Sequence, residues 1–134
     1  MAKYKKKLDA DIRCPLEYGL AIFGGKSGEY PQKLYKALMN SQTVLTVWDD
    51  ARLVGLIRVL DDSEMLAQIH YVLVHPEYQG QGIAGRMVEY IKEKYKNFMY
   101  LELMPEDKNN VPFYEKHGFH VMENGAAMQI CHIT

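Results

Sequence analysis

The sequence predicts an α+β fold built on a mixed, mostly antiparallel sheet. Three observations carry that expectation. Three β-rich stretches, 42–48, 53–60 and 65–74, follow one another with only short polar turns between them. Strands joined so closely pair antiparallel. A glycine-rich loop then leads from the third strand into an amphipathic helix over 82–96 and a further strand over 99–104. Such a crossover is right-handed and makes 65–74 and 99–104 a parallel pair.

Taken in order, Ala2–Leu8 is expected as an edge strand with its lysines toward solvent. Pro15–Phe23 suits a short helix with proline in its first turn, and Gly24–Gly28 breaks it. Leu34, Tyr35, Leu38 and Met39 recur at helical spacing between Pro31 and Asn40. Gln42–Trp48 and Leu53–Leu60 are rich in β-branched and aromatic residues and form a hairpin about Asp49–Arg52. Asp61–Glu64 is a second turn, into Met65–Val74, which Pro76 ends. Along 82–96, Ile83, Met87, Tyr90 or Ile91, and Lys94 or Tyr95 make one helix face. Arg86, Glu89, Lys92, Glu93 and Lys96 make the other. After Met99–Met104, Asn109 or Asn110 is expected to cap a short helix running through His117, with Gly118 as its C′ stop. Phe119–Met122 and Ala127–Ile133 should close the fold as a hairpin across Glu123–Gly125.

At 134 residues the chain is expected to form a single domain, 1–134, burying roughly two-thirds of its unfolded surface. A composition of 48% hydrophobic and 25% charged residues with net charge −1 is ordinary for a globular protein. That balance argues against nucleic acid as a partner, which calls for a basic excess. No apolar run is long enough to span a bilayer, so no membrane association is expected. Cys14 and Cys131 lie far apart, with neither Cys-x-x-Cys nor other metal-ligand spacing. They are expected as buried free thiols in a reducing cytoplasm, with no metal site.

The chemistry concentrates in Val74-His75-Pro76-Glu77-Tyr78-Gln79-Gly80-Gln81-Gly82-Ile83-Ala84-Gly85-Arg86. Glycines let a backbone approach a ligand closely and adopt φ > 0. The helix that follows offers unpaired N–H groups and the positive end of its dipole. Together these make a cradle for an anion, usually a phosphate or pyrophosphate. Gly80-x-Gly82-x-x-Gly85, with Glu102 further on, also matches the dinucleotide fingerprint. Against that rival, His75–Gln79 separate the strand from the first glycine, and antiparallel strands precede it. Too little chain follows Glu102 for a doubly wound sheet.

Two motifs together resemble the GCN5-related N-acetyltransferase (GNAT) family. One is the acyl-CoA loop Gln79-Gly80-Gln81-Gly82-Ile83-Ala84. The other is Asn110-Val111-Pro112-Phe113-Tyr114-Glu115-Lys116-His117-Gly118-Phe119. With the hairpin, the resemblance covers about 31–133. It implies the GNAT acyl-CoA acyltransferase fold, in which the central parallel pair (65–74 and 99–104) splays apart between flanking helices. It further implies that acetyl-CoA is the donor and a small-molecule or protein amine the acceptor. The pyrophosphate would rest on the loop from Gln79 through Gly80, Gln81, Gly82, Ile83, Ala84 and Gly85 to Arg86. The pantetheine arm would lie along Leu73 and Val74, with Asn110, Phe113 and Lys116 also at the cofactor. A backbone N–H near Leu73 or Val74 would polarise the acetyl carbonyl. Tyr114 stands where the family keeps the proton donor for the departing thiolate.

The general base stays open. The family's glutamate position falls near Gln68, which is no base. His70 lies on the same side by strand alternation and titrates in the right range. Glu102 and an ordered water are the other candidates. A non-catalytic acyl-CoA sensor with the same fold is the alternative to an enzyme. Exposed sheet edges make a homodimer an expectation. Residues 1–30 are atypical of the family, and 11–26 (with Cys14-Pro15-Leu16-Glu17 and Gly24-Gly25-Lys26) are similar to the opening of HxlR-type regulators. No winged-helix body follows, so DNA binding is not implied.

Overall fold

Antiparallel pairing dominates the sheet, as the short turns require. The computed structural model describes residues 3–5 and 29–132. They fall in two units that meet between Leu103 and Met104. The helix expected over Pro15–Phe23 and the whole 11–26 segment, Cys14 included, lie outside the described residues.

In the first unit, strands β1 (Lys3–Lys5), β2 (Thr43–Asp49), β3 (Arg52–Asp61), β4 (Leu66–Val74) and β5 (Tyr100–Leu103) lie side by side in chain order. The first three junctions are antiparallel and β4–β5 is parallel. Helix α1 (Pro31–Met39) has proline in its first turn and Asn40 as C-cap. Its Leu34 and Leu38 pack with Val44, Trp48, Leu53 and Leu56 on one face of the sheet, and Tyr35, Tyr71 and Leu73 lie against that cluster. Helix α2 (Ile83–Lys94) buries Ile83, Met87, Val88 and Ile91 and lies against β3 and β4. Gly55 sets how closely it does so. A Cβ there would stand 3.1 Å from Ile83 Cγ2 and 3.2 Å from Val47 Cβ. Beyond α2, Tyr95 is buried and ties two strands, its hydroxyl 2.7 Å from Thr43 Oγ1 and donating to Asp61 Oδ2 at 2.5 Å. Burial first, then Asp61, pushes its phenol up to about 12.

β4 carries the irregularity that matters for function. Arg58 of β3 pairs with Tyr71 and the next residue, Val59, with Ile69, so His70 is an extra residue, a β-bulge. The parallel pairing with β5 runs from Leu66↔Tyr100 to Ile69↔Leu103 and stops there. β4 continues to Val74 with no ladder partner on β5.

The second unit holds a 3₁₀ turn (Lys108–Asn110) and helix α3 (Val111–Lys116). Two expectations need correction here. Neither Asn109 nor Asn110 supplies the capping side chain; the Asp107 carboxylate accepts from the Asn109 N–H at 2.9 Å, and Asn110 makes no side-chain cap bond. A carboxylate set one 3₁₀ turn earlier satisfies that N–H before the α-helical turn begins. The closing hairpin is not formed among the described residues. Glu123–Gly125 does turn, Gly125 N–H donating to Met122 C=O at 3.1 Å, but 119–122 and 126–132 hold no strand. Val121, Met122, Met128 and Ile130 are exposed, and a hairpin burying no apolar face is marginal in water. Gly118, at φ +91°, ends α3 as expected. Cys131 lies in this irregular stretch and is exposed rather than buried.

Candidate functional site

His75 to Gly82 carry the chain from β4 to α2, and the β2–β3 turn grips the start of that path. The His75 N–H donates to Val54 C=O at 2.8 Å, and its ring Nδ1 accepts from the Glu77 N–H at 3.1 Å. Arg52 reaches Glu77 Oε2 at 2.9 Å and stands 3.2 Å from His75 Nε2. Its guanidinium also lies over the Tyr78 ring at 5.6 Å, and the Tyr78 hydroxyl donates to the Asp49 carboxylate. Gln79 donates its side-chain amide to Val74 C=O at 3.3 Å. The entry to the glycine loop is therefore fixed from behind by Asp49 and Arg52.

The loop itself is left open. Gly80 and Gly82 have φ of +82° and +80°, the left-handed region where side chains are strained. A Cβ on either would meet nothing within 4 Å, so backbone conformation and not crowding demands glycine. Gly82 is the N-cap of α2 and has no side chain to cover the amides beyond it. The first helical bond runs from Arg86 N–H to Gly82 C=O at 3.1 Å. The N–H groups of Ile83, Ala84 and Gly85 thus have no acceptor within the helix. Beside them, Gln81 and Arg86 are exposed. An open, donor-lined helix start with two left-handed glycines fits a pyrophosphate. Leu73 and Val74 lie on the part of β4 beyond the β5 pairing, where an extended chain of amides can add as a strand. Both features suit coenzyme A.

His70, exposed at the bulge, has its Nδ1 2.7 Å from Arg58 Nη1. A guanidinium only donates, so Nδ1 is the acceptor, and in the neutral ring this bonding assigns the proton to Nε2. Glu102 pairs with Gln68 on β5 and is partly buried.

In the second unit, α3 carries Phe113, Tyr114 and Lys116, with Asn110 at its start. Phe113 stacks at 5.0 Å from Tyr114 and 4.8 Å from His117, and Phe119 stands 6.0 Å from Tyr114. Tyr114 is partly buried, which pushes its phenol up and keeps it protonated at neutral pH. Asn110 and Lys116 are exposed. The first unit thus brings together Leu73, Val74 and the loop from Gln79 to Arg86, while Asn110, Phe113, Tyr114 and Lys116 group on the second. Sequence reasoning missed Asp49, Arg52, Ser41 and Arg58. Each acts across strands, and no local motif marks it.

The family model "Acetyltransferase (GNAT) family" matches residues 16–119. An uncharacterized ycf52-like N-acetyltransferase of Prochlorococcus marinus is 28% identical over 99 residues, 70% of this chain and 55% of that protein. The chain spans little more than half the length of the curated relatives it matches. A protein of unknown function from meticillin-resistant Staphylococcus aureus, described as a probable acetyltransferase, superposes with TM-score 0.84 at 28% identity. That match covers 98% of this chain and 100% of the other. A predicted acetyltransferase of Clostridium acetobutylicum, solved with acetyl-CoA, shares the fold with TM-score 0.69 at 17% identity, covering 96% of each chain. No helix among the described residues is long and apolar enough to cross a membrane. With the family model spanning most of its length, the chain belongs to the GNAT family of acetyltransferases.

Proposed function

We propose that the chain works as one domain, in the cytoplasm, moving the acetyl group of acetyl-CoA to a primary amine by direct attack in a ternary complex. The observation that carries this reading is the pair of left-handed glycines opening α2, next to the stretch of β4 that β5 leaves unpaired. Bound acetyl-CoA supplies the thioester: the amine nitrogen bonds its carbonyl carbon, the C–S bond breaks, and acetamide and free thiol result. The amides of Ile83 to Gly85 hold the pyrophosphate, and the open edge at Leu73 and Val74 aligns the arm and polarises the carbonyl. Tyr114 donates the proton that the departing thiolate takes, a role its raised, neutral phenol suits. With Nδ1 of His70 occupied by Arg58, the acceptor's excess proton leaves to water.

Tyr114→Phe tests the donor role. It should lower kcat by roughly 100-fold or more while acetyl-CoA binding persists. Full turnover in that variant, with the chemical step shown to limit the rate, removes Tyr114 from the mechanism. Acetyl-CoA binding with no thiol release over a wide amine panel favours the sensor alternative, which the glutamine at position 68 would also suit.

A further inference from the structure

Where α1, β3 and the β4 bulge meet, Arg58 is held in a fixed pose. Its Nε–H donates to Ser41 Oγ at 2.8 Å, and Nη1 donates to His70 Nδ1 at 2.7 Å. Ser41 in turn donates to Ala37 C=O at 2.7 Å, which locks its lone pairs toward Arg58. The guanidinium carbon lies 5.8 Å from the Tyr71 ring centre, and the His70 and Tyr71 rings meet edge-on at 4.4 Å. The bulge is what turns two successive rings toward one arginine.

Among the described residues, the groups that touch this guanidinium are the Ser41 hydroxyl, the His70 ring and the Tyr71 ring. Among the described residues no carboxylate stands within ion-pair range of Arg58, although it is only partly exposed. Burial lowers its pKa, and Tyr71 opposes that. Nη2 has no partner among the described residues. A cation partly withdrawn from water is costly without an anion, and its fork geometry matches a carboxylate or phosphate. Tyr71 and Leu73 lie against the same cluster on the α1 face, so Arg58 and the open edge of β4 share one side of the sheet. Two strand residues span roughly 7 Å.

We infer that Arg58, posed by Ser41 and His70, recognises an anionic group on the acceptor, so that the substrates are amines bearing a carboxylate or phosphate roughly 7 Å from the nitrogen. The inference rests on the acetyltransferase reading and names its acceptor class. His70 is a positioning residue in this account.

The test compares three probes of like shape with the CoA-loaded and acetyl-CoA-loaded protein: 4-(aminomethyl)benzoate, its uncharged carboxamide, and 4-(aminomethyl)phenyl phosphate. Binding is read by chemical-shift titration and turnover by thiol release. One or both anionic probes should exceed the carboxamide by about 10- to 100-fold in affinity and in kcat/KM, the gain of a charge-assisted pair. Whichever anion leads identifies the source. In Arg58→Gln the anion-to-carboxamide ratio should fall toward one, and Arg58→Lys should restore part of it. Because the ratio is internal to each variant, a loss of folded protein does not mimic the result. Equal binding of the three probes to the wild type overturns the inference, as does a preference that survives Arg58→Gln. In either case thiol release from any probe leaves the acetyltransferase reading standing. Saturable anion binding with no thiol release from any amine supports the Arg58 site and overturns the transferase reading instead.

Discussion

Gly82 does two jobs with one conformation. At φ +80° it turns the loop into α2, and as an N-cap without a side chain it leaves the first helical amides facing outward. Gly82→Ala should cost roughly 1–2 kcal/mol of stability from left-handed strain alone, since nothing crowds a Cβ there. Acetyl-CoA affinity should fall further than thermal stability does, and calorimetry of both quantities checks it. His70 shows where residue-scale reading of the sequence stops. Strand alternation put it on the Gln68 side as a base candidate, but its hydrogen-bond partner lies on another strand, and Arg58 takes the lone pair a base needs. His70→Ala should therefore raise KM for the acceptor while leaving the shape of the kcat pH profile unchanged. Loss of an acid limb near the usual histidine range would restore it as the base.

Elements were legible where their signals are local. The period of α2, the proline and asparagine that bracket α1, and the β-rich strands with polar turns all fall within a residue or two of their expected bounds. The bulge, the gripping contacts of Arg52 and the Arg58 cluster were not legible, because each depends on which residue faces which across a ladder. The closing hairpin failed for the converse reason: a turn signal was present, but no buried face supports the strands. The β3–β4 turn offers an element-scale test. Asp62 Oδ1 accepts from the N–H groups of Glu64, Met65 and Leu66 at 2.9, 2.8 and 3.1 Å. These bonds, the one from Leu66 foremost, hold its carboxyl below the usual range. A depressed pKa stabilises the fold above the ordinary carboxylate value, and that contribution is lost as pH falls through the lowered one. Thermal melts from pH 6 down to 2 should show a steeper acid decline for the wild type than for Asp62→Asn, which no longer titrates there.

At the scale of the molecule, sheet order follows from chain order alone, since short turns and one crossover admit little else, whereas the parting of β4 from β5 was an expectation of the family resemblance. The proposed function puts the acetyl donor along the stretch of β4 that β5 leaves unpaired. Nothing local in the sequence could show that Arg58 of β3 lies on the α1 side of the sheet beside that stretch of β4, and the proposed acceptor class turns on it. The whole account rests on acetyl transfer. Its most direct measurement is thiol release from acetyl-CoA with a panel of primary amines, including the anionic ones, with mass spectrometry of the amine products. The account predicts saturable release in equal amount to an acetamide product, reduced by roughly 100-fold in Tyr114→Phe. Tight acetyl-CoA binding with neither thiol nor acetamide formed from any amine would contradict it.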